Sequence, residues 1–198
     1  MKIEFIKSKK IDKNFRISSN QKKTFVWLLG GVKSFAGNLE FNLAEWAKLT
    51  NIFLFSASKT DKISINIRVN HLGENSFSNT MVRCIGRDDS SGEIAGNVKV
   101  GSAAKNSSAW FDGRAIIFDE ASCRVDPRLE ILTSEVERAG HAATVSKISD
   151  EDIFYMATRG VDRIKAERLK SAGFLSAPLS RAGLGLAETE KIIKTLLV

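Results

Sequence analysis

Residues that bind metals or carry covalent catalysis are scarce in this chain. Its 198 residues include two cysteines and two histidines, and Cys84 and Cys123 belong to no CxxC or Cys/His pattern. Two cysteines are too few for a disulfide framework, so each is first expected to be a reduced thiol, buried as a small apolar residue. Enzyme motifs such as Walker A, GxGxxG or a Ser/His/Asp trio are missing as well. We therefore expect a chain that is not an enzyme, and any energy input must come from another chain.

Long apolar runs are also missing. No run approaches the ~20 residues that a helix needs to cross a bilayer. The first residues, MKIEFIKSKKIDK, carry charge where a secretory signal has its apolar segment. We therefore expect a cytoplasmic protein.

Basic residues outnumber acidic residues, with 30 Lys and Arg against 23 Asp and Glu, which gives a formal net charge of +7. The densest basic stretch, residues 7–23, contains a single aromatic side chain, Phe15. Proteins that bind single-stranded nucleic acid combine basic residues with aromatic side chains on which bases stack, and no such pattern follows. We expect neither nucleic acid nor a membrane as a partner. A non-catalytic nucleic-acid-binding or adaptor role driven by the basic charge stays open as the alternative hypothesis.

Short apolar runs fill the chain up to about residue 148. Several alternate with period two, most clearly KISINIRV at residues 62–69, and this alternation indicates strands. From residue 51 onward the runs recur about every 10 to 18 residues with no helical segment between them. Dipeptides typical of tight hairpins are rare, and Asp112-Gly113 is the one candidate. A β-sandwich and a parallel β-helix both fit this periodicity.

The pattern becomes helical at Ser149, which is placed to cap a helix whose first turn is acidic. Gly160 is placed to end this helix. A second helix is predicted from Asp162 to Gly173, followed by a connector that contains Pro178. An amphipathic helix near residues 187–197 completes the prediction. The sequence thus divides into a β domain, residues 1–148, and a helical domain, residues 149–198.

Two stretches of the sequence carry motifs. The first, residues 71–132, opens with HLGENSFSNT, of the form H-x-G-x-N-S-x-S, and ends in PRLEIL, which contains P-x-L-E-I. The second, GHAATVSKISDEDIFYMATRGV, has a histidine before A-T and a Phe-Tyr pair followed by Arg-Gly. Both stretches resemble the SufB/SufD family of iron–sulfur cluster assembly scaffold proteins. The first fifty residues show no such match and are divergent, and the chain is closest to a short SufD-like member.

The resemblance implies a mainly β protein: a right-handed parallel β-helix followed by a small C-terminal α-helical domain. It also implies a scaffold subunit of the SUF iron–sulfur cluster assembly complex. The C-terminal helices would bind a SufC-like ABC-type ATPase, and the last coils would pair with a second SufB/SufD-type subunit or with a second copy as a homodimer. An iron–sulfur cluster would be held transiently, near the interface between subunits.

The resemblance also implies the site residues. His141 matches the family histidine and is the candidate metal and cluster ligand, with Cys123 as a possible second cluster-binding residue. Ala139 and Ala142 stand where two family branches carry a cysteine and a glutamate, and Asp112 falls near the SufB-type cysteine. The ligand set is therefore reduced, as in a supporting subunit.

The resemblance assigns binding of the partner ATPase to four residues of the helical domain, namely Phe154, Tyr155, Arg159 and Gly160. Aromatic side chains beside an arginine commonly dominate the binding energy of an interface. The alternative for Phe154 is that it packs the helix against the end of the β domain.

A carbohydrate-active groove is the enzyme hypothesis, since many β-helices have one. Such chemistry needs clustered carboxylates, and the nearest grouping, Asp112, Asp119 and Glu120, is scattered.

Overall fold

The computed structural model describes residues 1–6 and 8–197. Within these residues, eleven strands precede three helices. The strands are β1 (Lys2–Phe5), β2 (Lys10–Ile17), β3 (Lys22–Gly30), β4 (Ser34–Leu43), β5 (Lys48–Ala57), β6 (Lys62–His71), β7 (Phe77–Gly86), β8 (Ser91–Val100), β9 (Ser108–Ile117), β10 (Ser122–Ile131) and β11 (Arg138–Lys147). The helices are α1 (Asp150–Ala157), α2 (Arg163–Arg181) and α3 (Leu186–Leu196).

Successive strands alternate between two parallel sheets. The odd-numbered strands form sheet A, in the order β1-β3-β5-β7-β9-β11, and the even-numbered strands form sheet B, in the order β10-β8-β6-β4-β2. The chain therefore winds as a β-solenoid of about five turns. This confirms the parallel β-helix followed by helices and rejects the sandwich. Asp112-Gly113 lies inside β9 and is not a hairpin turn, because the chain leaves β9 only at its end and crosses to β10 in the other sheet.

The apolar pattern of a strand depends on what covers its outer face. In β6, Ile63 and Ile65 face the solenoid core while Ser64 on the outer side is exposed, so the sequence alternates. In β5, Phe53 faces the core, and Leu54 points outward but is buried under the helices. A strand that is buried on both faces reads as a continuous apolar run, which is why NIFLF lacks alternation.

The corners of the solenoid repeat one backbone conformation. Residues at equivalent corner positions adopt positive φ, including Asn75 and Asn106 on one edge and Asp88 and Asp119 on the other. The carboxylate of Asp88 accepts from the backbone N–H of Lys59 (2.7 Å), and that of Asp119 accepts from the N–H of Asp88 (3.1 Å). Asn and Asp tolerate this left-handed region better than most residues, and here their side chains also tie each coil to the next.

The helix caps were predicted correctly, but the length of the second helix was not. Ser149 and Asp162 accept hydrogen bonds from the backbone at the starts of α1 and α2. Gly160, just after α1, has a φ of 76°. Helix α2 does not end at Gly173; it continues to Arg181, and Pro178 lies inside it rather than in a connector. The last turns of α2 are buried against sheet A, and this tertiary burial outweighs the low helix propensity of Gly and Pro.

Candidate functional site

The last coil of the solenoid exposes one edge of each sheet. Strand β11 pairs with β9 and strand β10 pairs with β8, and no strand of the described residues 1–6 and 8–197 pairs with their other edges. His141 on β11 is in register with Phe111 on β9. Phe111 belongs to the solenoid core, so the His141 imidazole stands on the core-facing side of β11 but is exposed. The fold thus presents this imidazole at the open end of the solenoid.

Cys123 lies on the same last coil but is directed to another partner. It is the second residue of β10, is in register with Gly92 on β8 and is half-buried. Its sulfur lies beside Gly92 and close to the sulfur of Cys84 on β7. Among the residues that the structure describes, no group of three or more His, Cys, Asp or Glu side chains could hold a metal ion. On one copy of the chain, the candidate ligands His141 and Cys123 are therefore not part of a complete metal site.

Asp112 has a structural partner on the outer face of sheet A. Its carboxylate accepts from Arg83 Nη2 (2.7 Å) and from Arg114 Nε (2.7 Å). Burial alone would raise the pKa of Asp112, but the hydrogen bonds from Arg114 and Arg83 outweigh it and hold the pKa below its usual value. Asp119 caps a corner of the solenoid instead. The three acids of the carbohydrate hypothesis therefore do not line one groove.

The aromatic pair on α1 faces away from the β domain. Ile153 is buried and anchors the helix, whereas Phe154 is 71% exposed and Tyr155 is 61% exposed. The Arg159 guanidinium lies 5.4 Å from the Tyr155 ring centroid, and its Nη2 donates to the Tyr155 hydroxyl (3.3 Å). Phe154 therefore does not pack against the end of the solenoid. It forms an exposed patch with Tyr155 and Arg159, which we call the α1 patch.

Two arginines that the sequence did not single out hold α2 against sheet A. Arg83 lies 5.6 Å from the ring of Phe174, and Arg87 lies 3.9 Å from the ring of Phe118. Arg87 also donates to Glu167 (3.1 Å). The partners on α2, Phe174 and Glu167, lie 80 or more positions after these arginines in the chain, and no local pattern predicts such contacts.

His71 is a core residue. It is fully buried, and its ring nitrogens contact the hydroxyls of Ser76 (2.8 Å) and Ser78 (2.7 Å). Burial lowers the pKa of His71 to about 4. The ring is therefore neutral at physiological pH, as expected for a structural histidine.

Within the described part of the chain, every helix is too short or too polar to traverse a lipid bilayer.

Known proteins resemble this chain over most of its length. A family model described as the SufBD core domain, SUF system FeS cluster assembly, matches residues 16–174. This match begins at residue 16, well before the motifs at residues 71–132, and so includes most of the first fifty residues, where no motif of the family was found. An iron–sulfur cluster assembly SufBD family protein of Staphylococcus aureus (strain USA300) is 26% identical over 165 residues, which cover 78% of this chain and 35% of the relative.

Two mycobacterial relatives match shorter stretches. SufBD family proteins of Mycobacterium bovis and Mycobacterium leprae are 35% identical over 66 residues and 40% identical over 55 residues. These matches cover 33% and 28% of this chain, and 17% and 14% of the relatives. The chain thus spans about a third or less of the length of these curated relatives. Because the family model covers most of the solenoid, helix α1 and the first part of α2, this chain belongs to the SufBD core-domain family of SUF-system iron–sulfur cluster assembly.

Proposed function

We propose that this chain is a scaffold subunit for iron–sulfur cluster assembly, which builds or holds a transient cluster at an interface between two subunits. The observation that carries this proposal is the exposed His141 at the unpaired last coil of a SufBD-type solenoid. An exposed imidazole can take iron as a ligand. A single imidazole cannot complete the coordination of iron, so the remaining ligands would come from the substrate cluster and the second subunit.

Two strand edges support pairing at this end. The open edges of β10 and β11 have backbone N–H and C=O groups without a strand partner among the described residues. Ile131, Leu132 and Val145 are large apolar side chains exposed on or next to these strands. Free strand edges with apolar side chains favour the addition of another strand. The second subunit would be a SufB/SufD-type protein or a second copy of this chain.

Anaerobic reconstitution with iron and sulfide tests the ligand role. We expect the wild-type chain, with its pairing subunit, to develop visible charge-transfer absorption, and His141→Ala to lose most of it. Thr144→Ala, on the same strand, is the matched control and should behave as wild type. An unaltered spectrum in His141→Ala would remove this residue as a ligand, and the same measurement on Cys123→Ala decides whether the thiol contributes.

The α1 patch supports docking of a SufC-like ABC-type ATPase. Phe154, Tyr155 and Arg159 combine exposed aromatic area with a guanidinium, and Gly160 gives the turn that follows them its left-handed conformation. The double variant Tyr155→Ala, Arg159→Ala should abolish capture of the ATPase while the circular dichroism spectrum stays unchanged. Ile164→Ala, at an equally exposed apolar residue on α2, is the control and should retain capture. Normal capture by the double variant would refute this docking site.

A further inference from the structure

Cys84 and Cys123 are 39 positions apart in the chain and meet inside the solenoid, although they lie in different sheets. A β-carbon placed on Gly92 would lie 3.1 Å from the sulfur of Cys123 and 3.5 Å from that of Cys84. Both sulfur atoms therefore occupy the space next to this glycine. A β-carbon at position 92 would crowd the Cys123 sulfur and touch that of Cys84, so the glycine leaves room for both thiols.

The two thiols differ in their access to solvent. Cys84 is fully buried, 1% exposed, on the core-facing side of β7. Cys123 is half-buried and lines an open cleft whose charged residues are Lys62, Glu93 and Arg124. A small molecule in solution therefore meets Cys123 first, and the two basic side chains outnumber the one carboxylate, which gives the cleft a net positive charge.

This difference in exposure sets the order of attack. Thiols act as nucleophiles in thiol–disulfide exchange after they lose their proton, and they must also be accessible to the reagent. Cys123 is half-buried and can be reached from solvent, whereas Cys84 is enclosed. Cys123 therefore reacts first, and Cys84 can only attack a sulfur that is already beside it.

We propose that Cys84 and Cys123 form an oxidisable dithiol site, in which Cys123 reacts with low-molecular-weight disulfides and Cys84 then closes a bridge between sheet A and sheet B. In the first step the Cys123 thiolate attacks one sulfur of the reagent, forms a mixed disulfide and expels one thiolate. In the second step Cys84 attacks the Cys123 sulfur, and its proton passes to the second thiolate as that thiolate is expelled. The two protein thiols are oxidised and the reagent is reduced to two thiols, so atoms and electrons balance.

The bridge would join β10, the last strand of sheet B, to β7 in the body of the solenoid. Without it, β10 is held by its pairing with β8 and by core contacts. A covalent link between the last coil and the body would restrict how far the open end can separate. This proposal concerns the stability of the chain itself and does not depend on the cluster assembly role.

Incubation of the reduced full-length chain with oxidised glutathione tests the site. We expect the intact mass to fall by two hydrogen atoms, and peptide mapping to join Cys84 to Cys123 at a rate that does not depend on protein concentration. Cys84→Ser should stop at a glutathione adduct on Cys123. Cys123→Ser should react at least about tenfold more slowly, since its remaining thiol is buried.

A second variant and a fold measurement keep the test decisive. Gly92→Val should slow the closing step in an otherwise folded chain, as judged by circular dichroism, so that the mixed disulfide accumulates. A wild-type chain that stops at a stable mixed disulfide, or that links two copies instead of closing internally, would overturn the proposal. Equal reactivity of Cys84 and Cys123 in the two serine variants would overturn the assigned order of attack.

Discussion

At the scale of single residues, burial decides the chemistry of the two histidines. His71 and His141 both lie on core-facing sides of their strands, yet one is enclosed and the other is exposed at the last coil. The Ser76 hydroxyl at His71 is also in contact with Ser107 (2.8 Å). These hydroxyls satisfy the hydrogen-bonding nitrogens of the neutral His71 ring. Protonation of the ring would place a charge in the protein interior, which solvates charge poorly.

We predict that His71 makes the protein sensitive to acid. Its folded-state pKa of about 4 lies below the ordinary value of 6.5, so between these values the unfolded chain binds a proton that the folded chain does not. The free energy of unfolding should therefore fall as the pH decreases from 6.5 to 4, by about 3 kcal/mol from this group. Urea unfolding at several pH values measures this loss.

The second histidine provides the control. His71→Gln should lose this part of the pH dependence, whereas His141→Gln should keep it, and contributions from carboxylates are common to both variants. Equal slopes between pH 6.5 and 4 in the two variants would contradict the assignment.

Residue types in the sequence indicated the helix caps at Ser149 and Asp162, because these depend on neighbours within a few positions. The environments of Cys84, Cys123 and Asp112 could not be predicted in this way. Each is set by a residue one coil away, and the coil length varies along the chain. Asp112, for example, meets Arg83 29 positions earlier.

At the scale of secondary structure elements, the sheet A face that carries the helices depends on a buried ion pair. The side chains of Arg83 and Asp112 are only 4% and 5% exposed. The Arg83 guanidinium also donates to the backbone oxygens of Val82 (2.9 Å) and Asp112 (3.1 Å). Removal of the Asp112 carboxylate leaves the buried Arg83 charge without its counter-ion, with only the two backbone oxygens to accept its hydrogen bonds.

We predict that Asp112→Ala lowers the free energy of unfolding by about 3–5 kcal/mol, as for other buried pairs that lose one partner. The double variant Arg83→Met, Asp112→Ala should recover part of this loss because no unpaired charge remains. Glu130→Ala, which breaks the exposed pair with Lys99, should cost less than about 1 kcal/mol. Chemical denaturation of the three variants checks this ranking, and equal losses for Asp112→Ala and Glu130→Ala would contradict it.

The pattern of strands followed by helices could be predicted from periodicity, but the extent of α2 could not. Local propensity predicted that the helix ends at Gly173 and that Pro178 lies in a connector. Leu175, Pro178 and Leu179 are instead buried against sheet A. Their burial depends on β5 and β7, more than 80 positions earlier. The local sequence around α2 therefore does not include the residues that extend the helix.

This conflict leads to a prediction for Gly173. The residue is exposed in the middle of α2, and a β-carbon there would have no neighbour within 4 Å. Gly173→Ala should therefore raise the free energy of unfolding by about 0.5–1 kcal/mol, because alanine is the better helix former. Gly96→Ala is the opposite case, since a β-carbon there would lie 2.6 Å from an edge carbon of the Phe111 ring, and it should destabilise. Thermal unfolding distinguishes the two, and a destabilised Gly173→Ala would refute a continuous α2.

At the scale of the whole molecule, the two ends of the solenoid differ in their packing. Near the N-terminal end, aromatic rings fill the core: Phe15 stacks on Phe41 with ring centroids 5.0 Å apart, and Trp27 stacks on Phe53 at 5.8 Å. At the other end, β11 contributes small and polar side chains, and most of its residues are exposed. Strands β1 and β2 also have one edge without a strand partner among the described residues. The two ends therefore differ in what fills the core, which is large rings in the first coils and small or exposed side chains in the last strand.

This asymmetry predicts that association occurs through the last coil. Purified alone, the chain should form a concentration-dependent dimer, because the exposed edges of β10 and β11 and the apolar side chains of Leu132 and Val145 would be covered. Val145→Asp places a charge in this contact and should weaken the dimer by at least about tenfold. Sedimentation equilibrium measures the dissociation constant.

Phe154→Asp makes the same type of change at a more exposed apolar residue of the α1 patch and should leave the dimer intact, because it acts on the surface proposed for the ATPase. If Phe154→Asp dissociates the dimer and Val145→Asp does not, the helices rather than the open end of the solenoid join the subunits.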